Sequence, residues 1–382
     1  MKQPVQSEIL LAELDHIWMR RALDLARESV GLASPNPAVG CVLVKDDDVV
    51  GEGFHSYDLR DHAEVVALKA AGPAAKGSTA YVTLEPCSHT GRTGPCANTL
   101  VAAGVARVVV ATGDPNPTVN GRGIAILRHA GVSVDVGLME QEARDLNDGF
   151  ARYIQTDLPF VTLKAGLSID GRIAPAPATR IRGSAVMLTG AESQAEVQRM
   201  RHASDALITG INTVIADNPL LTDRSGFPRR RPLLRVVLDS TLRLPLDSRL
   251  VETANDDLVV FCTKPNAERR RAFEALHIHV EQIVGEPRKR VSLQRVLERL
   301  GELQITSAML EAGSQLNAAA LHGYTDKLSL FYAPVIFGQH AVPLFETDNP
   351  VPLHPIRTTL THFDTDVRLD LWLRDPWANT ES

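Results

Sequence analysis

The 382-residue sequence has few cysteines, few aromatic residues and a net charge of only −6. Its four cysteines are too few and too scattered for the disulfide framework of a small secreted protein (Cys41, Cys87, Cys96 and Cys262). The charge argues against a broad surface for nucleic acid or an anionic membrane. No apolar run approaches the roughly 20 residues of a membrane-spanning helix. The sequence therefore predicts neither a membrane protein nor a nucleic-acid-binding protein.

A secretory signal and a Rossmann fingerprint are also missing. The first residues, MKQPVQSEIL, lack the basic segment and apolar core of a signal peptide, which predicts a cytoplasmic protein. No Gly-x-Gly-x-x-Gly follows a predicted strand, so a Rossmann dinucleotide site has little support. Hydrophobic residues make up 44% of the chain, as in ordinary globular proteins, and the length suffices for two domains.

Strands and helices alternate with short connections through both halves of the chain, which predicts an α/β fold. The first series begins with a helix over 8–30. The residues QTDLP (155–159) have the composition of a linker, and a second series begins with the apolar strand PFVTLKAGL (159–167). We therefore expect two α/β domains, at residues 1–153 and 158–376.

One histidine, one glutamate and two cysteines have the pattern of a catalytic metal site. His62 and Cys96 stand at the predicted starts of two helices, where anionic ligands and thiolates are favoured, and Cys87 lies on the loop between them. One imidazole and two thiolates suit Zn²⁺, and three protein ligands are typical of a catalytic zinc site. Glu64 lies two residues beyond His62, so its side chain points in a different direction from that of the ligand. It is placed to transfer protons and not to coordinate the metal. The pattern predicts zinc-dependent hydrolytic deamination of a base.

The zinc interpretation has alternatives. The sequence HAE is common at helix starts, and Cys87 and Cys96 also fit buried apolar positions or a structural zinc site. Their C-x8-C spacing differs from the C-x2-C of the nucleobase-deaminase signature. Two rival functions stay open. One is deamination of a free or RNA-borne base, and the other is non-enzymatic binding by a protein in which zinc only stabilises the fold. The presence of a second domain and the net negative charge disfavour deamination of a free or RNA-borne base. Glu64 beside an open ligand position disfavours a non-enzymatic binding protein.

A longer set of motifs resembles one enzyme family, the bifunctional riboflavin-biosynthesis deaminase–reductases. Its deaminase half is similar to PNPAVGCVLVKDD, GEGFH, HAEVVAL, TAYVTLEPCSHTGRTGPC and DPNPTVNGRG. Its reductase half is similar to LKAGLSIDGRIA, SDALITGINTVIADNPLLTDR, RVVLDS and LEAGSQLNAAAL. The similarity covers nearly the whole chain in order, and the long loop between the two cysteines is the form that this family has.

The resemblance implies a cytidine-deaminase-like three-layer α/β/α domain followed by a dihydrofolate-reductase-like α/β domain. It implies hydrolytic deamination of 2,5-diamino-6-(5-phosphoribosylamino)pyrimidin-4(3H)-one, then NADPH-dependent reduction of the ribosyl group to a ribityl chain. By position, His62, Cys87 and Cys96 are the implied zinc ligands and Glu64 the proton shuttle. The expected cofactors are Zn²⁺ and NADPH, and a homo-oligomer is expected.

Six further residues match family positions that line the deaminase pocket: Asn36, His55, His89, Arg92, Asp114 and Asn116. Arg92 suits the substrate phosphate, because a guanidinium group pairs well with phosphate oxygens. Asn36 and Asn116 also adjoin prolines, where turn formation alone is enough to explain them.

In the reductase half, the resemblance assigns seven positions to the cofactor: Gly166, Met187, Thr213, Asp217, Ser240, Gly313 and Ser314. It assigns five to the substrate: Lys164, Arg201, Leu221, Arg224 and Glu311. The strand SAMLEAG runs into Gly313 and Ser314, and a small-residue turn at a helix start can hold a pyrophosphate. A strand followed by glycine and a helix is also the usual connection in α/β units that bind no ligand there. Arg201 and Arg224 suit phosphate groups, although solvated arginines are the simpler explanation.

One segment departs from the family pattern. After DGR-x-A the family has Gly-x-Ser-x-Trp-Ile-Thr, whereas this chain has GSAVMLTG (183–190) behind an inserted PAPATRIR. Met187 stands where tryptophan is usual, and Ala185 where serine is usual. Ser184 is then the nearest substitute for the missing hydroxyl. An alternative function follows: a deaminase whose reductase half is impaired or retuned.

Overall fold

The computed structural model describes residues 3–88, 94–181, 183–285, 290–348 and 351–378. The chain forms two compact units. Unit 1 contains residues 1–156, 228–230 and 377–382, and unit 2 contains residues 157–227 and 231–376. Every helix among the described residues is too short or too polar to cross a membrane.

Unit 1 is built on a five-stranded mixed sheet. Its elements are, in chain order, α1 (Gln3–Glu28), β1 (Gly40–Lys45), β2 (Asp48–Phe54), α2 (Ala63–Ala71), β3 (Thr79–Val82), α3 (Cys96–Ala102), β4 (Arg107–Val110), α4 (Arg122–His129), β5 (Ser133–Val136), α5 (Glu140–Leu146) and α6 (Asp148–Thr156). The strand order is β2-β1-β3-β4-β5. Strand β1 runs antiparallel to β2 and β3, while β3, β4 and β5 are parallel.

Apolar side chains cover both faces of this sheet, because alternate residues of a strand point to opposite sides. One buried cluster joins one face of the sheet to α2, α3 and α4, and includes Leu43, Ala67 and Leu100. The other joins the opposite face to α1 and α5, and includes Val42 and Met19. This confirms the three-layer α/β/α arrangement expected for the first half.

Unit 2 is built on a nine-stranded mixed sheet with a separate two-stranded sheet. Its elements are β6 (Phe160–Ser168), β7 (Arg172–Ala174), α7 (Ala191–Ala203), β8 (Ala206–Gly210), α8 (Ile211–Asp217), β9 (Leu234–Leu238), α9 (Arg249–Glu252), β10 (Leu258–Cys262), α10 (Ala267–Glu274), β11 (His279–Gln282), α11 (Leu293–Glu302), β12 (Ser307–Leu310), α12 (Ser314–Leu321), β13 (Lys327–Ala333), β14 (Val342–Pro343), β15 (Arg357–Phe363) and β16 (Asp366–Trp372).

The strand order of the large sheet is β11-β10-β9-β8-β12-β6-β13-β16-β15. The first seven strands in this order, from β11 through to β13, are each parallel to their neighbours. Strands β16 and β15 add an antiparallel edge. Buried clusters lie on both faces, so that successive residues of β9 such as Val236 and Val237 enter different clusters. The α/β class expected for the second half is confirmed.

Several elements of unit 2 were not predicted. Helix α8 follows β8 directly and is rich in β-branched residues, which have weak helix propensity, and tertiary packing of Ile211 and Val214 holds it. Helix α11 is capped by Ser292, whose side chain accepts from Arg295 N. Strand β15 is an edge strand whose residues are mostly exposed, so it lacks the alternation that marks a strand.

Candidate active sites

A glycine of β2 lets α2 pack directly against the sheet and so fixes the position of His62. A Cβ atom on Gly53 would lie 2.5 Å from Ala63 O and 2.7 Å from Ala67 N, which is closer than side chains approach backbone. Glycine is therefore required there. His62 is the extended N-cap residue of α2, and its ring meets that of His55 edge-on at a centroid distance of 5.3 Å.

His62, Cys87 and Cys96 are brought together as a cluster of metal-ligating atoms. These atoms all lie within 4.8 Å of one another, and His62 Nδ1 is 3.6 Å from Cys87 Sγ and 3.2 Å from Cys96 Sγ. A tetrahedral zinc ion separates nitrogen and sulfur ligands by about 3.5 Å, given Zn–N of about 2.0 Å and Zn–S of about 2.3 Å. The donor set and its spacing therefore fit Zn²⁺.

The two thiols of this cluster differ in acidity. Cys96 is the first residue of α3, and its N–H donates to Cys87 Sγ at 3.3 Å. Donation from the Cys96 side chain lowers the pKa of Cys87, and His62 and the Cys96 N–H lower it further. Donation to Cys87 and burial raise the pKa of Cys96. The backbone N–H group of Cys96, at the start of the helix, therefore stabilises the neighbouring Cys87 thiolate.

Glu64 lies in the first turn of α2 and is only 3% exposed. Burial is the main cause that raises its pKa to about 7, and the charge of Cys87 adds to the effect while His62 opposes it. Glu64 is two residues from His62, and its pKa responds to the charges of His62 and Cys87, so this group adjoins the metal-ligand cluster. A carboxyl group with such a pKa takes up and releases protons near neutral pH, as a general acid–base must.

His55 and Asn36 are joined to each other beside the metal-ligand cluster. His55 Nδ1 lies 2.9 Å from Asp61 O, and since a carbonyl only accepts, Nδ1 carries the proton. His55 Nε2 then accepts from Asn36 Nδ2 at 3.0 Å. Asn36 therefore does more than form the turn between its flanking prolines, because its side chain holds the ring that contacts His62.

Asp114 and Asn116 lie on the loop between β4 and α4. Asp114 Oδ1 accepts from Asn116 N at 2.8 Å, and Asn116 Oδ1 accepts from Thr118 N and Oγ1 at 3.0 and 2.8 Å. The oxygen of Asn116 is thus used in turn formation, which its flanking prolines suggest, while its NH₂ group makes no hydrogen bond to a described residue. The other two predicted pocket residues, His89 and Arg92, lie outside the described residues.

Glu85 is a buried carboxylate that sequence reasoning missed. It is 3% exposed and accepts hydrogen bonds from the β4–α4 loop and from the first turn of α4. The signal in the sequence was an acidic residue placed directly between a buried strand and the Pro-Cys pair of the zinc motif.

In unit 2, a cavity of about 1150 Å³ opens at the carboxyl ends of the parallel strands. Open α/β sheets bind ligands at this edge. The cavity is lined by all twelve residues that the resemblance assigns to the reductase: Lys164, Gly166, Met187, Arg201, Thr213, Asp217, Leu221, Arg224, Ser240, Glu311, Gly313 and Ser314. Residues far apart in the sequence therefore meet at one site.

Glu311 is the centre of a buried ion-pair network on the cavity wall. Arg201 Nε and Nη2 donate to its two carboxylate oxygens at 2.8 and 3.1 Å, and Lys164 Nζ lies 3.8 Å from Oε2. Burial alone would raise the pKa of Glu311, but the charges of Arg201 and Lys164 outweigh burial and hold the pKa at about 2. Burial also lowers the pKa of Lys164. Glu311 is thus an ionised anchor for two cations at neutral pH.

Arg224 lies on the cavity near this network. Its Nη1 donates to Thr222 Oγ1 at 2.9 Å, and the backbone carbonyl of Thr222 accepts from Arg201 Nη1 at 3.0 Å. Burial and the positive charge of Arg201 lower the pKa of Arg224. Two cations held this close favour an anion between or beside them, such as the phosphate of a substrate. Leu221, also on the cavity, is 4% exposed.

The segment that departs from the family pattern (183–190) is anchored at both ends. Gly183 N donates to Ala216 O at 2.8 Å, next to the end of α8. Gly190 N donates to Asp366 Oδ2 at 2.8 Å, at the start of β16. The residues between these anchors are thereby held along the cavity.

Ala185 to Thr189 line the cavity, whereas Ser184 is absent from its described lining. Met187 is 65% exposed at the cavity edge. The Thr189 methyl lies 3.7 Å from where a Cβ on Gly166 would stand, so the segment passes close to β6.

Arg180, from the inserted PAPATRIR, forms an ion pair with Asp217 on the cavity wall. The two side chains are mostly buried, and burial raises the pKa of Asp217 while Arg180 opposes the rise. Arg180 Nε is buried and has no hydrogen-bond partner among the described residues. Sequence reasoning noted the insertion but did not identify Arg180, because only the fold brings it to Asp217.

Gly313 and Ser314 form the start of α12. Gly313 is the extended N-cap residue, and the Ser314 hydroxyl donates to Pro343 O. Thr213 Oγ1 lies 3.5 Å from where a Cβ on Gly313 would stand, so α8 and α12 begin side by side on the cavity. Backbone N–H groups at the start of α12 suit the diphosphate of a dinucleotide. The cavity thus fits NADPH by its size and by its donors.

Two known families match this chain. The cytidine and deoxycytidylate deaminase zinc-binding region matches residues 12–112, which hold the metal-ligand cluster. The RibD C-terminal domain matches residues 159–369, more than half of the chain, which hold the cavity.

Proteins similar to the whole chain agree with both matches. The riboflavin biosynthesis protein RibD of Actinobacillus pleuropneumoniae is 41% identical over 88% of this chain and 88% of its own length. That of Escherichia coli is 40% identical over 86% of this chain and 89% of its own length.

Solved structures show the same similarity. Acinetobacter baumannii RibD has 39% identity and a TM-score of 0.80, covering 95% of this chain and 100% of its own. The diaminohydroxyphosphoribosylaminopyrimidine deaminase/5-amino-6-(5-phosphoribosylamino)uracil reductase of Thermotoga maritima has 30% identity and a TM-score of 0.78, covering 95% and 99%. The chain belongs to the RibD family, the bifunctional deaminase–reductases of riboflavin biosynthesis.

Proposed function

We propose that this enzyme deaminates 2,5-diamino-6-(5-phosphoribosylamino)pyrimidin-4(3H)-one in its first domain (1–153) and reduces the ribosyl group of the product with NADPH in its second (158–376). The observation that carries the deaminase proposal is the fit of the His62, Cys87 and Cys96 donors to Zn²⁺, with the buried Glu64 beside them.

In the deaminase reaction, His62 Nδ1 and the sulfur atoms of Cys87 and Cys96 would hold the zinc ion. When bound there, Zn²⁺ polarises water and makes it a better nucleophile at neutral pH. Glu64 takes the proton from the attacking water and passes it to the ring nitrogen and the leaving amine. Its burial keeps this proton exchange out of bulk solvent.

The remaining deaminase residues bind and orient the pyrimidine. Asn36, held by His55, and Asn116, through its NH₂ group, present amides that suit the polar edge of the ring. Asp114 holds the turn that carries Asn116. The roles of His89 and Arg92, a polar contact and a phosphate contact, rest on the family resemblance alone.

In the reductase reaction, the chain's part is to align the nicotinamide with the sugar carbon, because hydride transfer is the cofactor's own chemistry. The start of α12 takes the diphosphate, and Gly166, Met187, Thr213, Asp217 and Ser240 line the rest of the cofactor site. Lys164, Arg201, Leu221 and Arg224 surround the phosphorylated sugar, and Glu311 fixes the two innermost cations.

A second candidate function is a deaminase with an impaired or retuned reductase. The observation that favours it is the cavity segment without the family's serine and tryptophan, combined with the Arg180–Asp217 ion pair. Cytoplasmic residence remains a prediction from the sequence, and self-association remains an expectation that the family resemblance implies.

The decisive experiment uses the full-length, zinc-loaded protein and the diaminopyrimidinone ribosylamino phosphate. Ammonia release and NADPH oxidation are followed separately, with and without NADPH. Ammonia release without NADPH, followed by NADPH oxidation once it is added, supports the bifunctional proposal. Ammonia release with no NADPH oxidation supports the second candidate. No ammonia release from this substrate overturns the deaminase proposal.

A further inference from the structure

The Glu85 carboxylate accepts four backbone hydrogen bonds. Its Oε2 accepts from Asp114 N at 3.3 Å and from Gly121 N at 2.9 Å. Its Oε1 accepts from Gly123 N at 2.8 Å and from Ile124 N at 3.2 Å. The donors belong to the β4–α4 loop and to the first turn of α4. The first N–H groups of a helix have no hydrogen-bond partners within the helix, and Glu85 supplies them here. An ionised carboxylate, which only accepts, is the one side chain that satisfies all four donors.

Glu85 also sits in the segment that delivers a metal-ligating residue. It is followed by Pro86 and Cys87, and its own N–H donates to Thr112 O at 2.9 Å, just beyond the end of β4. A Cβ atom on Gly123 would lie 1.9 Å from Pro86 O, so α4 begins in direct backbone contact with this segment. The cysteine segment and the β4–α4 loop are therefore joined by hydrogen bonds and by direct backbone contact, with Glu85 between them.

We propose that Glu85 is a positioning residue for deamination: its carboxylate fixes Asp114 and Asn116 relative to Cys87, and so sets where the pyrimidine lies against the metal site. This inference rests on the proposed function, in which Asp114 and Asn116 serve the substrate and Cys87 holds the metal. Glu85 itself does not touch the reacting atoms. It acts through the β4–α4 loop, because the Asp114 N–H that it accepts from is only two residues from Asn116.

The discriminating variant is Glu85→Gln, which keeps the shape but turns one acceptor oxygen into an NH₂ group facing backbone donors. We expect zinc content to stay at the wild-type level, because all three ligands are unchanged. The KM of the deaminase for its pyrimidine substrate should rise about 10- to 100-fold, as for other residues that orient a site from outside it. The kcat should fall much less.

The chain supplies its own folding control, since the reductase activity of the same variant should equal that of wild type. Glu13→Gln changes an exposed glutamate of α1 and should leave KM unchanged. A double-mutant cycle with Asn116→Ala tests the mechanism. If Glu85 acts through the loop, the two KM effects are strongly non-additive; if it acts elsewhere, they multiply.

Three results overturn the inference while leaving the proposed function intact: an unchanged KM in Glu85→Gln, additive effects in the cycle, or loss of zinc together with activity. The last result would make Glu85 a support of the metal site instead of the substrate loop. Failure of wild type to release ammonia would instead overturn the proposed function.

Discussion

The zinc site of unit 1 and the cavity of unit 2 differ in how their charges are held. In unit 1, the three side chains of His62, Cys87 and Cys96 form a compact cluster, and a single carboxylate with a pKa of about 7 stands beside it. In unit 2, the cavity collects residues from several strands and helices, and its central carboxylate has a pKa of about 2 because two cations surround it. We therefore propose that the same chemical group carries protons in one unit and is a fixed charge in the other.

The difference follows from what each carboxylate is buried with. For Glu64, burial outweighs the attraction of His62, so desolvation dominates and favours the protonated form. Glu311 is mostly buried and is paired with Arg201 and Lys164, so attraction dominates and favours its ionised form. Burial alone thus predicts neither role; the neighbouring charges do.

The sharpest test of this contrast is Glu64→Gln. The amide keeps the size of the side chain but cannot accept and deliver a proton, so deaminase kcat should fall about 10²- to 10⁴-fold. Ammonia release measures the loss, and zinc content and NADPH oxidation measured with the deaminated intermediate should match wild type.

Glu28→Gln, at an exposed position of α1, is the matched control and should leave ammonia release unchanged. Full deaminase activity in Glu64→Gln with zinc bound would contradict the assignment of Glu64 as the proton carrier.

The second test is Glu311→Gln, which leaves Arg201 and Lys164 buried without their shared anion. Breaking a buried ion pair from one side costs about 3–5 kcal/mol, so unit 2 should be destabilised at neutral pH and reductase activity should be lost. Urea unfolding followed by circular dichroism measures the stability, and ammonia release reports unit 1, which should be unaffected.

The same pair of proteins tests the direction of the pKa shift. The folded-state pKa of Glu311 lies below its ordinary value of 4.5, so its contribution is present above pH 4.5 and is lost as pH falls towards 2. Wild type should therefore lose about 3 kcal/mol more than Glu311→Gln across this window. Glu302→Gln, at a surface ion pair with Arg299, should keep the wild-type pH dependence, and equal slopes in all three proteins would contradict the role of Glu311.

Arg180→Gln tests whether the inserted segment serves the cofactor. The variant leaves the Asp217 carboxylate facing the cavity without its cation, and it removes the buried Nε donor. Both changes disfavour a polyanionic ligand, so the Kd for NADPH should rise about tenfold, which corresponds to about 1.4 kcal/mol. Quenching or enhancement of NADPH fluorescence on binding measures the Kd without turnover.

Arg199→Gln is the control for this prediction, because Arg199 carries the same charge on an exposed face of α7 and does not line the cavity. Tighter NADPH binding in Arg180→Gln would reverse the interpretation, since it would mean that the ion pair competes with the cofactor.

The separation of a site's residues along the sequence determines how much of that site could be predicted. The ligands His62, Cys87 and Cys96 follow one another in a strand-and-helix order that local rules predict, so their meeting was foreseen. The part played by Glu85 was not, because its four partners lie 29 or more residues away and become neighbours only when β3 and β4 pair.

In unit 2, physical reasoning from the sequence identified little beyond the strand–glycine–helix turn at Gly313, and the family resemblance supplied the other cavity residues. Arg201 shows why: its sequence context is that of a solvated helix arginine, and its pairing with Glu311 depends on the packing of α7 beside β12. Helix α8, which carries Thr213 and Asp217, was missed because its β-branched residues favour a strand locally and only packing makes them helical.

The smallest expected effect comes from restoring the family residue in Met187→Trp. Met187 stands exposed on the cavity edge, where an indole ring offers a larger flat surface to a bound nicotinamide or adenine. The segment is anchored at Gly183 and Gly190, so the larger side chain does not need a new backbone path. We expect the Kd for NADPH to fall about two- to threefold, with no change in ammonia release. Ile169→Trp adds the same ring at a similarly exposed position outside the cavity and should have no effect on the Kd. If both variants bind NADPH as wild type does, the segment 183–190 does not cover the cofactor, and the retuning of the reductase must lie in the Arg180–Asp217 pair.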